Sequence, residues 1–196
     1  MASGNVTLEA ESHRYFKDGV PFDGPSVTQA LSQCGLADFS FVEEEMRQRC
    51  MARGTSVHWL TRLHDEGCLD YRRVPKALRG YRKGWMAFRK ATGFVPDPFW
   101  TERSFISPLG FSGTIDRMGS FFGMRWATVD IKTGEGDVPD WTRYQLSLYC
   151  EETKTVERIG VKLRPDGTYR VKPFPFSTFY TDKAIALEAI RRWRKQ

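Results

Sequence analysis

Two runs decide how this chain folds: Gly113-Thr114-Ile115-Asp116 and, across a hairpin connection, Val129-Asp130-Ile131-Lys132-Thr133-Gly134. Both have strand composition, and side chains on a strand alternate faces. Asp130 and Lys132 therefore share one face, while Val129 and Ile131 share the apolar one. Asp116 stands on the neighbouring strand, within reach of the same spot. Two carboxylates converging at a sheet edge make a hard-oxygen site suited to Mg²⁺ or Mn²⁺. An ammonium two residues along can orient a metal-bound water and counter the charge that develops on a phosphate in flight. Alone, Asp-x-Lys on a strand is a common surface ion pair. Here Ile115, Val129 and Ile131 give these strands a buried face, and Glu102 on the preceding strand adds another carboxylate, either a ligand, a support for one, or half of a pair with Arg103.

Outward from these runs, residues 99–106, 111–118 and 124–133 read as strands, with 119–123 as a hairpin connection. Asp140 is placed to cap a helix through Glu151, and 155–163 and 168–173 form a second hairpin around Pro165-Asp166-Gly167. A last helix starts near Thr181 and carries Ile185, Ala189, Ile190 and Trp193. Upstream, short strands at 6–10 and 13–17 go with an Asp18-Gly19 turn, and Ser26 caps a helix ending near Gly35. Helices follow at 41–52 and 55–65, interrupted by Gly54, and another at 76–91. The order predicts an α/β (α+β) fold: a central mixed, largely antiparallel sheet flanked by helices, in a single domain over residues 1–196.

The chain has 196 residues, 40% apolar, with 14% aromatic and 28% charged. That composition excludes a solvated coil, and no apolar run approaches a membrane span. No leader peptide is read at the N-terminal end. The net charge of +6 favours polyanionic partners. From Arg72 to Lys90 every charged residue is basic, and Tyr71, Tyr81, Trp85 and Phe88 interleave the run. This is the composition of a groove that tracks phosphates and stacks bases, with Arg79, Arg82 and Lys83 as candidate DNA contacts. The helical spacing of Leu78, Tyr81, Trp85 and Phe88 also assigns some of these aromatics to the core. Cys34, Cys50, Cys68 and Cys150 contain no C-x-x-C pair, which argues against a zinc ribbon, and they are expected as buried reduced thiols.

Taken together, four blocks resemble the PD-(D/E)XK nuclease superfamily, in its RecB-like branch of exonucleases that includes phage-encoded members. Arg53-Gly54-Thr55-Ser56-Val57-His58 looks like the R-G-t-x-x-H block, Gly113–Asp116 like G-x-x-D, Asp130-Ile131-Lys132 like the core D-x-K, and Gln145-Leu146-Ser147-Leu148-Tyr149 like Q-x-x-x-Y. The resemblance implies a restriction-endonuclease-like core and one or two Mg²⁺ or Mn²⁺ ions held by His58, Asp116, Asp130 and the Ile131 carbonyl. It makes Lys132 catalytic together with Asp116 and Asp130, and it places Gln145 and Tyr149 at the DNA. Iron–sulfur relatives carry three clustered cysteines after the core; this chain has only Cys150 there, so no cluster is expected.

The implied activity is metal-dependent hydrolysis of DNA, single-stranded or with free ends, in recombination, repair or phage DNA processing. The implied compartment is the cytoplasm, that of the host if the chain is phage-encoded, with no membrane partner. No P-loop is present, so unwinding would need a separate helicase, and a single-strand-annealing partner is left open. The alternatives are an endonuclease of the same fold, a catalytically silent nucleic-acid-binding module, or a basic interaction module. Intact Asp116, Asp130 and Lys132 argue against the silent one.

Overall fold

The computed structural model describes residues 5–9, 12, 14–38 and 43–195. Near the N-terminus β1 (Val6–Glu9) and β2 (Arg14–Lys17) pair antiparallel. The Asp18-Gly19 turn, with positive φ at both residues, leads into a short third strand, β3 (Val20–Pro21). Residues 10 and 13, the expected ends of the first two strands, lie outside the described residues. Helix α1 (Val27–Gln33) begins at the expected cap. Ser26 Oγ accepts the Gln29 N–H, and the Gln29 side chain accepts the Ser26 N–H. Such a capping box is worth about 1 kcal/mol.

The two helices expected at 41–52 and 55–65 are one, α2 (Glu44–Asp65), which runs straight through Gly54. A glycine inside a helix costs only ~1 kcal/mol against Ala, and burial of Val57, Leu60 and Thr61 outweighs it. Residues 41 and 42 lie outside the described residues. The basic segment forms two short 3₁₀ turns and then α3 (Arg79–Thr92). Its Tyr81, Trp85 and Phe88 are buried, with Trp85 stacked on Phe88 at 5.3 Å between ring centroids. They are core, not base-stacking platforms.

Next come β4 (Phe94–Pro96), β5 (Arg103–Ile106), β6 (Ser112–Ile115), β7 (Arg117–Phe121) and β8 (Arg125–Thr133). The strand expected at 111–118 breaks at Asp116, which is the joint between β6 and β7. Residues 119–121 belong to β7, and the tight turn is Phe122-Gly123, where both φ values are positive as a short hairpin demands. The strand expected from Phe99 begins later, because Pro98–Trp100 is a 3₁₀ turn. The chain closes with α4 (Thr142–Thr153), β9 (Glu157–Leu163), β10 (Tyr169–Phe174) and α5 (Phe179–Trp193). Asp140 does not cap α4; its carboxylate pairs with Lys172 of β10 instead.

Five strands form one mixed sheet in the order β10-β9-β8-β7-β4, with β8 and β9 parallel and every other pair antiparallel. The crossover between the parallel strands contains α4. One core packs Val57 of α2 and Tyr81, Trp85 and Phe88 of α3 on Val129, Ile131, Val161 and Leu163. A second lies between α1, α4, α5 and the separate β5–β6 pair. The fold is therefore α+β, a mixed, largely antiparallel sheet flanked by helices. Among the described residues no helix is long and apolar enough to cross a membrane.

Candidate metal centre

His58, Glu102 and Asp116 reach one point from three elements, each offering a ligand atom within 4.8 Å of the others. His58 follows buried Val57 on α2, Glu102 immediately precedes β5, and Asp116 fills the β6–β7 joint. The imidazole Nδ1 lies 3.1 Å from Glu102 Oε1 and 3.5 Å from Asp116 Oδ1. Its Nε2 lies 3.1 Å from the Ile131 carbonyl. The Ile131 N–H donates to Asp116 Oδ2 at 2.6 Å. One residue of β8, between Asp130 and Lys132, thus ties the cluster to the strand that carries the Asp-x-Lys.

Glu102 has φ +49°, a left-handed conformation that costs a residue with a Cβ roughly 1–2 kcal/mol. Its N–H donates to the Asp116 carbonyl at 3.0 Å, and the kink aims its carboxylate at His58. Arg103 turns away and lies over the Phe99 ring at 4.0 Å, so Glu102 belongs to the cluster and not to an Arg103 pair. Fully buried Arg117 supports it from behind. Its Nη1 donates to Glu102 Oε1 at 2.6 Å, Nε to Asp65 Oδ2 at 2.7 Å and Nη2 to Thr61 Oγ1 at 2.9 Å. Neither Arg117 nor Asp65 was among the residues expected from sequence.

Burial opposes a charged imidazole, but the Asp116 and Glu102 carboxylates outweigh it and lift His58 to about 9. Burial raises Asp116, to about 7; His58 counters it, and Asp130 and Glu102 add to it. Glu102 is pushed up by burial and carried below the usual carboxylate range by His58 and then Arg117. The signs give a pH dependence. The folded chain keeps the His58 proton from the ordinary pKa of 6.5 up to about 9, so stability falls as pH rises through that window. Asp116 acts the same way between its ordinary 3.8 and about 7. The melting temperature in chelator should therefore drop from pH 6 to pH 9. His58→Gln should flatten the upper part of the drop, by at most ~3 kcal/mol. Equal slopes in wild type and variant would overturn this charge assignment.

Lys132 occupies the face opposite Val129 and Ile131, as its alternation demands. Its Nζ lies 3.0 Å from Asp130 Oδ1, 2.9 Å from Oδ2, 3.1 Å from Gln145 Oε1 and 4.6 Å above the Trp141 ring. Only Oδ1 takes a well-directed hydrogen bond; Oδ2 is buried without a hydrogen-bond donor. That spare acceptor capacity, beside an imidazole and two further carboxylates, fits a divalent cation. Of the expected ligands the cluster holds His58 and Asp116 together with Glu102, the possible further one; Asp130 sits alongside, engaged with Lys132, and the Ile131 carbonyl meets His58 Nε2.

No family model and no curated relative matches the chain. Among solved structures, one described as the crystal structure of SSO0001 is similar, at 17% identity over 83% of each chain and a TM-score of 0.33. A likeness that loose fixes nothing at the centre. What the centre does is argued from its own side chains.

Gln145 and Tyr149 are both buried on α4. Gln145 holds Lys132 with its oxygen and donates its Nε2–H to the Tyr149 hydroxyl at 3.0 Å. The Tyr149 ring covers Gly113, where a Cβ would stand only 2.7 Å from it. Tyr15 of β2, outside the four blocks, meets Thr114 Oγ1 at 3.1 Å; burial pushes its phenol above the usual range, the Thr114 bond partly offsets this, and the nearby Asp116 adds to it. Arg79, Arg82 and Lys83 are not brought to the centre. They ride on α3, whose aromatics pack the Val129/Ile131 face, and Arg82 lies over the Tyr71 ring at 4.6 Å.

Proposed function

We propose that this chain is a divalent-cation-dependent DNA nuclease of the PD-(D/E)XK superfamily, of its RecB-like branch, acting as an exonuclease. The observation that carries the reading is Ile131, which gives its N–H to Asp116 and its carbonyl to His58 between the two residues of the Asp-x-Lys. His58, Glu102, Asp116 and Asp130 are the residues that would hold the metal. A bound Mg²⁺ or Mn²⁺ would polarise a phosphodiester and make water a nucleophile near neutral pH.

The chain's own residues supply the rest. Lys132 presents a fixed positive charge where a phosphate in flight gains negative charge, and a preorganised charge needs no rearrangement during the reaction. Asp130, Gln145 and the Trp141 ring restrict its swing. Arg117 keeps the Glu102 carboxylate aimed, and after His58 it helps hold it below the usual carboxylate range. The test uses end-labelled and circular DNA, single-stranded and duplex, with Mg²⁺, Mn²⁺ or excess chelator. Linear DNA should be degraded from its ends, circular DNA spared, and both spared in chelator. Cleavage unchanged in chelator would falsify the metal dependence, and loss of circular DNA would make the enzyme an endonuclease.

A further inference from the structure

Beyond Lys132, at the ends of β8 and β9, cations gather without a counter-ion. Lys162 is the cross-strand partner of Lys132 in the parallel pair, so both side chains leave the same face of the sheet. Lys162 is only 8% exposed, and among the described residues no carboxylate pairs with it. Burial and then the neighbouring Lys132 and Arg53 push its ammonium below the usual lysine range; Cys50 partly offsets them and Arg164 adds to them.

Arg53 reaches in from α2, with Nη2 3.3 Å from Cys50 Sγ. It lies so close to Gly134 that a Cβ there would stand 2.9 Å from the same nitrogen. Arg164 uses Nη2 on the Gly136 carbonyl at 3.0 Å. The Nε–H groups of both arginines are buried with no acceptor. Glu135, on the loop between them, is exposed and forms no ion pair among the described residues.

A lysine whose side chain is largely buried with no counter-ion among the described residues destabilises a fold, and cations near it add repulsion. The arrangement becomes favourable once an anion enters. An ammonium within electrostatic reach of two arginines, each with a spare buried N–H beside the same Gly134–Gly136 loop, matches the needs of a tetrahedral oxyanion. We infer that Lys162, Arg53 and Arg164 form a phosphate subsite next to Lys132, filled by the phosphodiester that neighbours the scissile one on the bound strand. The strand's identity rests on the nuclease reading; the anion site itself does not.

The experiment uses the full chain in chelator, with two probes. Inorganic phosphate is titrated against melting temperature, with chloride added to equal ionic strength as control. A single-stranded oligonucleotide is titrated across a salt series. Lys162→Met should melt higher than wild type without anions, because a cation repelled by Lys132 and Arg53 is gone while its buried stem is replaced, and it should lose the phosphate-induced rise. Its oligonucleotide affinity should fall several-fold, with a salt slope smaller by about 0.7 for one lost phosphate contact. Arg53→Gln should reduce the phosphate response in the same direction.

A Lys162→Met chain that melts lower, fails to fold or keeps the full phosphate response overturns the subsite. Lost phosphate response with unchanged oligonucleotide binding assigns the site to free phosphate and overturns the strand assignment. The two readings fail separately. If phosphate binding depends on Lys162 but wild type never cleaves DNA with Mn²⁺, the nuclease reading falls and the anion site stands. If wild type cleaves and Lys162→Met matches it with both probes, the subsite alone falls.

Discussion

Lys132→Ala should slow DNA cleavage by ~10²–10³, the range typical of removing one preorganised electrostatic contact from an active site. It should do so without abolishing metal binding. The side chain leaves β8 opposite the Val129/Ile131 face, so the core loses no packing. Asp130, only 1% exposed, loses its partner ammonium, and a buried carboxylate stripped of its counter-charge destabilises the fold. The variant should therefore melt lower than wild type in chelator and regain the difference on adding Mn²⁺. Cation affinity should hold or tighten, since a competing positive charge is gone. DNA affinity should change little, because one phosphate contact among many is a small share of the electrostatic total. Asp130→Asn should lose cleavage and metal together. Divalent-ion titration paired with cleavage assays on both variants checks this. A wild-type rate in Lys132→Ala would reduce the Asp-x-Lys to a structural ion pair.

Period-two alternation in β8 was legible because both of its faces are packed: Val129 and Ile131 on the α3 side, Asp130 and Lys132 toward α4. The Ser26 cap and the Pro165-Asp166-Gly167 turn were legible because each is a short-range device. Other features depend on partners far along the chain. The strand break at Asp116 is set by the Ile131 N–H, and no local pattern announces it. β4 is three residues ending in proline, too short to show alternation. Gly54 reads as a helix breaker locally, and the burial of Val57, Leu60 and Thr61 overrides it.

The centre divides along the same line. Asp116, Asp130 and Lys132 stand out from residue chemistry and strand spacing. His58, a lone histidine on a helix, was singled out only through the R-G-t-x-x-H resemblance. Glu102 was ambiguous because Arg103 adjoins it, and three-dimensional placement of Arg103 over Phe99 removes the ambiguity. Arg117 was invisible: beside Asp116 it looks like half of a local pair, while its partner Asp65 is 52 positions away. Lys162 was overlooked because a lysine on a strand normally faces water, and only the β8–β9 register buries it beside Lys132.

Arg117→Met should be the most destabilising single change at the centre, by ~3–5 kcal/mol, the usual result of removing one partner from a buried charge network. For a chain of this length that is a drop of roughly 6–20 °C in melting temperature. Methionine fills much of the volume, so the loss is electrostatic and not a cavity. The two carboxylates that lose Arg117 fare differently. Asp65 keeps the Trp85 Nε1–H and the Arg89 guanidinium, both at 2.8 Å. Among the described residues Glu102 keeps only His58, held at φ +49° with its carboxylate mostly shielded from water. The penalty should thus fall mainly on Glu102, and a second change there should recover part of it. Arg117→Met with Glu102→Gln should melt above Arg117→Met alone, while Arg117→Met with Asp65→Asn should gain less. Arg117→Lys should fall between wild type and Arg117→Met, because an ammonium keeps the charge but lacks the fork that spans Asp65, Thr61 and Glu102 at once. Denaturant unfolding of the set, read as double-mutant cycles, measures each coupling. A single-variant loss below about 1 kcal/mol would show that water replaces Arg117, and that Glu102 is held at the centre by His58 alone.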